Sequence, residues 1–249
     1  MDISNAAHRP WPLPHRPWVL TMQWHDLLFM HWPLPPALLR PFIPHALALE
    51  MFDGAAWLGI TAFRMVGTRP RLVPPLPWFS TFPELNVRTY VSAAGKPGIW
   101  FFSLDAGNWL AVRGARALFH LPYYDAAMVA ESSSGVVRYS STRTHRGAPS
   151  AAFTGHYCPI GPVSHSAVGS LEYWLTERYC LYATDRRGRV WRGNIHHTPW
   201  PLQPAEADIT CNTMTDPLQV RLPHRAPLLH FALRLDVVAW TLEAVEAMR

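Results

Sequence analysis

Hydrophobic and polar residues alternate most regularly in "FPELNVRTYV", Phe82 to Val91. Strand side chains point to opposite faces in turn, so Glu84, Asn86, Arg88 and Tyr90 share one face. Leu85, Val87, Thr89 and Val91 share the other. Apolar or alternating runs bounded by turn residues recur along the chain. "WHDLLFMHWPLP" (Trp24–Pro35) reads as a strand ended by a proline turn, and "PPALLRPF" as a short helix with proline in its first turn. "ALALEMFDGAAWLGITAFRM" reads as a hairpin of two apolar strands around Asp53-Gly54. A proline-dense loop, residues 69–77, leads to the Phe82 strand. "GIWFFSLDA" (Gly98–Ala106) follows it, after a Gly95-Lys96-Pro97-Gly98 turn that would leave Lys96 exposed. Further strands read in "YYDAAMVAE", "GVVRYSSTRT" and "AAFTGHYC", in a hairpin turning at Arg187-Gly188, and at Leu228–Trp240.

The period changes twice. In "NWLAVRGARALF" (Asn108–Phe119), Trp109, Val112, Ala115 and Phe119 recur at three- and four-residue steps, with Asn108 placed to cap the first turn. Gly114 in this helix suggests close packing against a sheet. "SLEYWLTERY" (Ser170–Tyr179) predicts a second helix behind a serine cap. The pattern predicts an α+β, mostly β fold: an antiparallel arrangement with a few packed helices, in a single domain over residues 21–249. Residues 1–20 read as an irregular, proline-rich arm. The 25 prolines in 249 residues fit many short elements, since proline breaks helices and is excluded from central strands.

Composition narrows the function. Apolar residues make up 49% and charged residues 16%, enough for a sizeable core and little for a disordered tail. The formal charge of +5 invites a nucleic-acid partner, but all but one of the 22 basic residues are arginine, scattered without a basic stripe, so none is expected. Cys158, Cys180 and Cys211 are too widely spaced for a disulfide framework or zinc ribbon. His196-His197 would face opposite sides of a strand, and His156 with Cys158 lacks a third ligand, so no metal is expected. No phosphate-binding or dinucleotide motif occurs, so no cofactor is expected. No apolar run approaches the roughly 20 residues of a membrane span, and no signal sequence is evident, which points to a bacterial-type cytoplasm.

"FPELNVRTYV…GKPGIWFFSLDA…AR…LPYYDAAM", followed by "LTERYCLYA" and "HHTPWPL", resembles the uncharacterised YqjF-like family from about Trp24 to Trp240. That family is a domain of unknown function grouped with the acetoacetate decarboxylase-like fold. The resemblance implies a cone-shaped antiparallel β-barrel enclosing a pocket, and oligomers are compatible with it. In such decarboxylases an interior-strand glutamate faces a lysine that follows a Gly-Arg-Glu helix and a proline. Glu84 matches the glutamate and Arg116 in "GAR" matches the helix arginine. The lysine pair is replaced here by Tyr123-Tyr124. Decarboxylation through a Schiff base needs a lysine of lowered pKa. The single lysine here, Lys96, does not match that position, so this chemistry is not expected.

What the resemblance leaves is a pocket lined by Glu84, Asn86, Arg88, Arg116, Tyr123 and Tyr124. Glu84, Arg116 and Tyr123 are the candidate catalytic residues, and Asn86, Arg88 and Tyr124 the candidate ligand-binding ones. Arginine offers a planar fork to a carboxylate, a buried glutamate can move a proton, and a tyrosine can donate to an enolate-like oxygen. Adjacent strand residues face opposite ways, so at most one of Tyr123 and Tyr124 would line a pocket. Two functional readings stay open: an acid/base enzyme on small oxo or hydroxy acids, and a non-catalytic binder of such a carboxylate. Two structural readings stand beside them: the polar face is simply solvated, or Glu84 and Arg88 form an internal salt bridge. Glu177 and Arg178 in "TERY" could fix a helix end, and His197 could anchor a proline turn.

Overall fold

A computed structural model describes residues 5–76 and 80–245; residues 1–4 of the arm, residues 77–79 at the end of the proline-dense loop and the last four residues lie outside the described residues. In chain order the first strands are β1 (Leu20–Leu34), β2 (Ala48–Leu49), β3 (Ala56–Pro70), β4 (Phe82–Ala93) and β5 (Lys96–Ala106). There follow β6 (Tyr123–Ser133), β7 (Val136–Arg143), β8 (Ala152–Pro159), β9 (Cys180–Thr184) and β10 (Val190–His196). The last are β11 (Gln203–Asn212), β12 (Leu228–Ala239) and β13 (Glu243–Ala244). The α-helices are α1 (Pro36–Leu39), α2 (Trp109–Leu118) and α3 (Leu171–Thr176). The fold is mostly β. From β5 the sheet runs through β6, β7, β8, β11, β12, β1, β3 and β4 and returns to β5, so it closes in a ring.

Two pairings depart from the antiparallel expectation: β5 runs parallel to β6 and to β9. The reason for the first is α2, which lies between β5 and β6 in sequence; parallel neighbours need such a crossover, whereas a hairpin would make them antiparallel. The Asp53-Gly54 turn forms, with φ of 49° and 76°, but it closes only a Phe52–Ala55 bridge, and β2 pairs with β4 instead of β3. The β4–β5 turn falls on Ala94-Gly95, with φ of 49° and 71°, so Lys96 is not in it. Lys96 opens β5, half-buried, with its ammonium 5.6 Å from the Trp11 ring centre. α2 begins as its sequence predicts, the Asn108 side chain accepting from Leu110 N and Ala111 N. Gly114 is no packing requirement, because a Cβ there would meet nothing within 4 Å. α3 is shorter than predicted: the chain leaves the helix at Glu177, whose carboxylate accepts from the Trp200 amide at 2.8 Å and from the Tyr179 hydroxyl.

Both faces of β4 are covered. Leu85, Val87 and Val91 pack with Leu28 and Met30 of β1 and with Tyr139, Phe153 and Tyr157 of β7 and β8. The other face meets a second core that contains Phe29, Phe63, Phe82, Leu104, Val112, Tyr123 and Trp200. Each such large side chain contributes about 1.5–3 kcal/mol on full burial, which is what holds polar neighbours out of water. Glu84 is 2% exposed, Asn86 4% and Arg88 9%. The polar face of the Phe82 strand is therefore interior. No helix among the described residues is long and apolar enough to cross a membrane.

Candidate functional site

Strand register assembles the site. Directly opposed residues share a face, so pairing aligns Phe29 of β1, Thr61 of β3, Asn86 of β4, Leu104 of β5 and Tyr123 of β6 in one row. One neighbouring row holds Phe63, Glu84 and Ala106, and another holds His31, Gly59 and Arg88. Gly59 is glycine for a physical reason. A Cβ there would lie 3.1 Å from His31 Cδ2 and 3.3 Å from Arg88 Cγ, so its absence lets the two side chains approach.

At one end of this stripe the Tyr123 hydroxyl donates to Glu84 Oε2 at 2.8 Å, inside the core. The Tyr139 hydroxyl donates to the Glu84 carbonyl at 2.7 Å, fixing the backbone that carries it. Burial pushes the Glu84 carboxyl up to about 7, against the opposing effect of hydrogen bonds from Tyr123 and Asn86. Burial, with Glu84 beside it, holds the Tyr123 phenol well above its ordinary 10, so it stays a donor at neutral pH. A carboxyl poised near neutrality can both take and return a proton.

At the other end lies Arg88. Among the described residues it has no carboxylate within ion-pair reach, and Glu84 and Arg88 do not form the internal salt bridge that was one reading of the sequence. Burial lowers the Arg88 pKa, and the neighbouring Tyr90 partly restores it. Its guanidinium lies 5.1 Å from the Phe29 ring centre, and the Tyr90 hydroxyl shares a 2.8 Å hydrogen bond with His31 Nε2. Arg88 Nε, Asn86 Oδ1, Thr61 Oγ1 and His31 Nδ1 are all buried without a hydrogen-bond partner among the described residues. Buried polar atoms are ordinarily paired, and four of the fifteen exceptions among the described residues lie on these two adjoining rows.

Arg116 and Tyr124 are elsewhere. The buried stripe of α2 is Ala111, Val112, Ala115 and Phe119; Arg116 sits at its edge and is exposed. Its Nη1 donates to the Tyr123 carbonyl at 2.6 Å, touching the backbone of Tyr123 and not the Glu84 carboxylate. Tyr124 points the opposite way from Tyr123 and lines a surface cleft of about 510 Å³, together with Arg116 and His120. The expectation that Glu84 and Arg116 face one cavity is thus corrected. Tyr123 joins Glu84, Asn86 and Arg88 on the interior stripe, while Tyr124 and Arg116 belong to the cleft. Arg113 pairs with Asp125 at 2.9 Å on the surface.

The remaining sequence candidates are tied into the scaffold by their contacts. His197 is buried, shares hydrogen bonds with the Thr198 and Arg178 carbonyls, and stacks on Tyr179. Arg178 donates to the Trp174 carbonyl and to Glu50. Among the described residues no group of three His, Cys, Asp or Glu side chains could hold a metal ion.

With this geometry in view, the comparisons with known proteins are specific. A family model for an uncharacterized conserved protein, DUF2071, matches residues 21–236. The chain belongs to the DUF2071 family. It is 45% identical over 230 residues to the uncharacterized protein YqjF of Bacillus subtilis, covering 92% of this chain and 94% of that one. Solved structures similar to this DUF2071 chain include acetoacetate decarboxylase from Legionella pneumophila, with TM-score 0.62 and 12% identity over 98% of this chain and 95% of that one. An acetoacetate decarboxylase-like enzyme from Sphingomonas wittichii RW1 gives TM-score 0.61 and 14% identity, covering 98% and 99%. The enduracididine biosynthesis enzyme MppR, solved with pyruvate, gives TM-score 0.64 and 10% identity, covering 93% and 92%. At such identities the likeness shows the fold alone.

Sequence reasoning missed His31, Gly59, Thr61 and Tyr139. Two of them carried a signal: a histidine in the apolar run "LLFMHW", and a glycine inside the strand "WLGIT", which marks close approach.

Proposed function

We propose that the interior stripe binds a small oxo or hydroxy acid and that Glu84 and Tyr123 perform acid/base chemistry on it. No Schiff-base lysine, metal or nucleotide is called on. Arg88 receives the ligand carboxylate: it is a buried fork without an acidic partner, and Thr61, Asn86 and His31 offer further polar atoms beside it. Glu84, poised at about 7, takes a proton next to the ligand carbonyl. Once Glu84 is protonated, the single Tyr123 O–H is free to turn from that carboxyl and donate where negative charge develops. The observation that carries this reading is the 2.8 Å Tyr123–Glu84 hydrogen bond in a core that contains an acid-free arginine. That a protein of similar fold was solved with pyruvate agrees with it.

The test is calorimetric titration with pyruvate and related 2-oxo and 2-hydroxy acids. Binding by the natural protein should weaken about 10- to 150-fold in Arg88→Met, the equivalent of a lost charge-assisted hydrogen bond of roughly 1.5–3 kcal/mol. Equal binding by a folded Arg88→Met would refute Arg88 as the receptor. A ligand that binds but is never converted would favour the non-catalytic binder.

A further inference from the structure

The surface cleft lies on the other side of β5 and β6 from Glu84. Tyr123 and Tyr124 face opposite ways, one to Glu84 and the other to the cleft, so the two places lie back to back across β5 and β6, and Phe101, opposite Arg88, is the lining residue nearest the interior stripe. The cleft walls are aromatic, with Trp100 and Phe102 from β5 and Tyr124 from β6. They are held in place: Trp100 Nε1 donates to the Phe42 carbonyl at 3.2 Å, and the Phe42 ring packs edge-on against Phe102 at 6.2 Å. Arg116, His120 and Arg186 add basic groups, and no carboxylate is among the described lining residues. Among the described residues Arg116 meets only neutral partners, the Tyr123 carbonyl at 2.6 Å and the Tyr124 ring at 5.9 Å. Among the described residues Arg186 has no ion pair, since the adjacent Asp185 is taken by Arg189 and Trp191. His120 keeps a left-handed φ of 53° between α2 and Pro122, so the rim turns sharply at a fixed point.

Flat aromatic walls with a purely basic rim select a ligand with a planar apolar body and an anionic end. A volume of about 510 Å³ suits a small molecule. We infer that this cleft is a binding site for aromatic carboxylates, with the ring between Trp100, Phe102 and Tyr124 and the carboxylate on Arg116 and Arg186. Arginine supplies the bidentate contact and can also stack on the ligand ring. The inference does not depend on the interior reading, and either can fail alone.

The probe is 2-naphthoate, followed by ligand-observed NMR and calorimetry, with 2-naphthalenemethanol as the uncharged control. The natural protein should bind 2-naphthoate with a Kd of about 1 mM or tighter and the alcohol more weakly. Arg186→Met removes an exposed side chain without an ion pair, so it tests the charge even where Arg116→Met disturbs the Tyr123 carbonyl. Each should weaken 2-naphthoate about tenfold or more and leave the alcohol unchanged. Glu84→Gln should leave 2-naphthoate binding unchanged. The inference is overturned by absence of binding, by equal affinity for acid and alcohol, by indifference to Arg186→Met, or by loss of binding in Glu84→Gln.

Discussion

Glu84→Gln should make the protein about 3 kcal/mol more stable at pH 8 and under about 1 kcal/mol more stable at pH 5. The Glu84 carboxyl is raised from its ordinary 4.5 to about 7 by burial. Between those values the folded state holds a proton that the unfolded state has released, so stability falls as pH rises through this window. The cost is absent below about 4.5 and complete above about 7. At about 1.4 kcal/mol per pH unit, that gap amounts to about 3 kcal/mol. Glutamine mimics the protonated acid, can still accept from Tyr123, and never ionises. Urea unfolding of both proteins at pH 5 and pH 8 isolates the Glu84 ionisation, because every other titrating group is common to the pair. The variant should gain about 3 kcal/mol at pH 8, or about 6–12 °C in Tm for a chain of this size. Equal differences at the two pH values would refute the raised carboxyl, and with it the acid/base role.

Arg143 Nε donates to the buried Asp105 carboxylate at 3.0 and 3.2 Å, so Arg143→Met should cost about 3–5 kcal/mol in denaturant unfolding by stranding that charge. Gly98→Ala should destabilise by several kcal/mol or prevent folding, measured the same way, because its Cβ would lie 2.7 Å from Cys180 Sγ and 2.8 Å from Cys180 O. Lys96→Ala should leave pyruvate binding intact, and borohydride with pyruvate should modify no lysine; mass spectrometry showing an adduct on Lys96 would restore Schiff-base chemistry.

Much of the fold was legible because it is local. The alternation of Phe82–Val91, the Asn108 cap and the Leu228–Ala239 strand each depend on a few neighbouring residues. The parallel pairings of β5, the partner of β2 and the end of α3 were not, since each is set by contacts far along the chain, such as Trp200 N on Glu177. The site divides the same way. The sequence pattern put Glu84, Asn86 and Arg88 on one face, but only the register of β5 with β6 brings Tyr123 to Glu84. Arg116 misled because its match was to a helix, and the helix turns it to the cleft.

The central claim is that Glu84 moves a proton on a small oxo acid held by Arg88. The direct measurement is proton NMR of pyruvate in D₂O with the natural protein and with Glu84→Gln. The account predicts protein-dependent loss of the pyruvate methyl signal as deuterium enters, abolished in Glu84→Gln while that variant still binds pyruvate. Bound pyruvate whose methyl protons never exchange, or exchange at the same rate in both proteins, would contradict it.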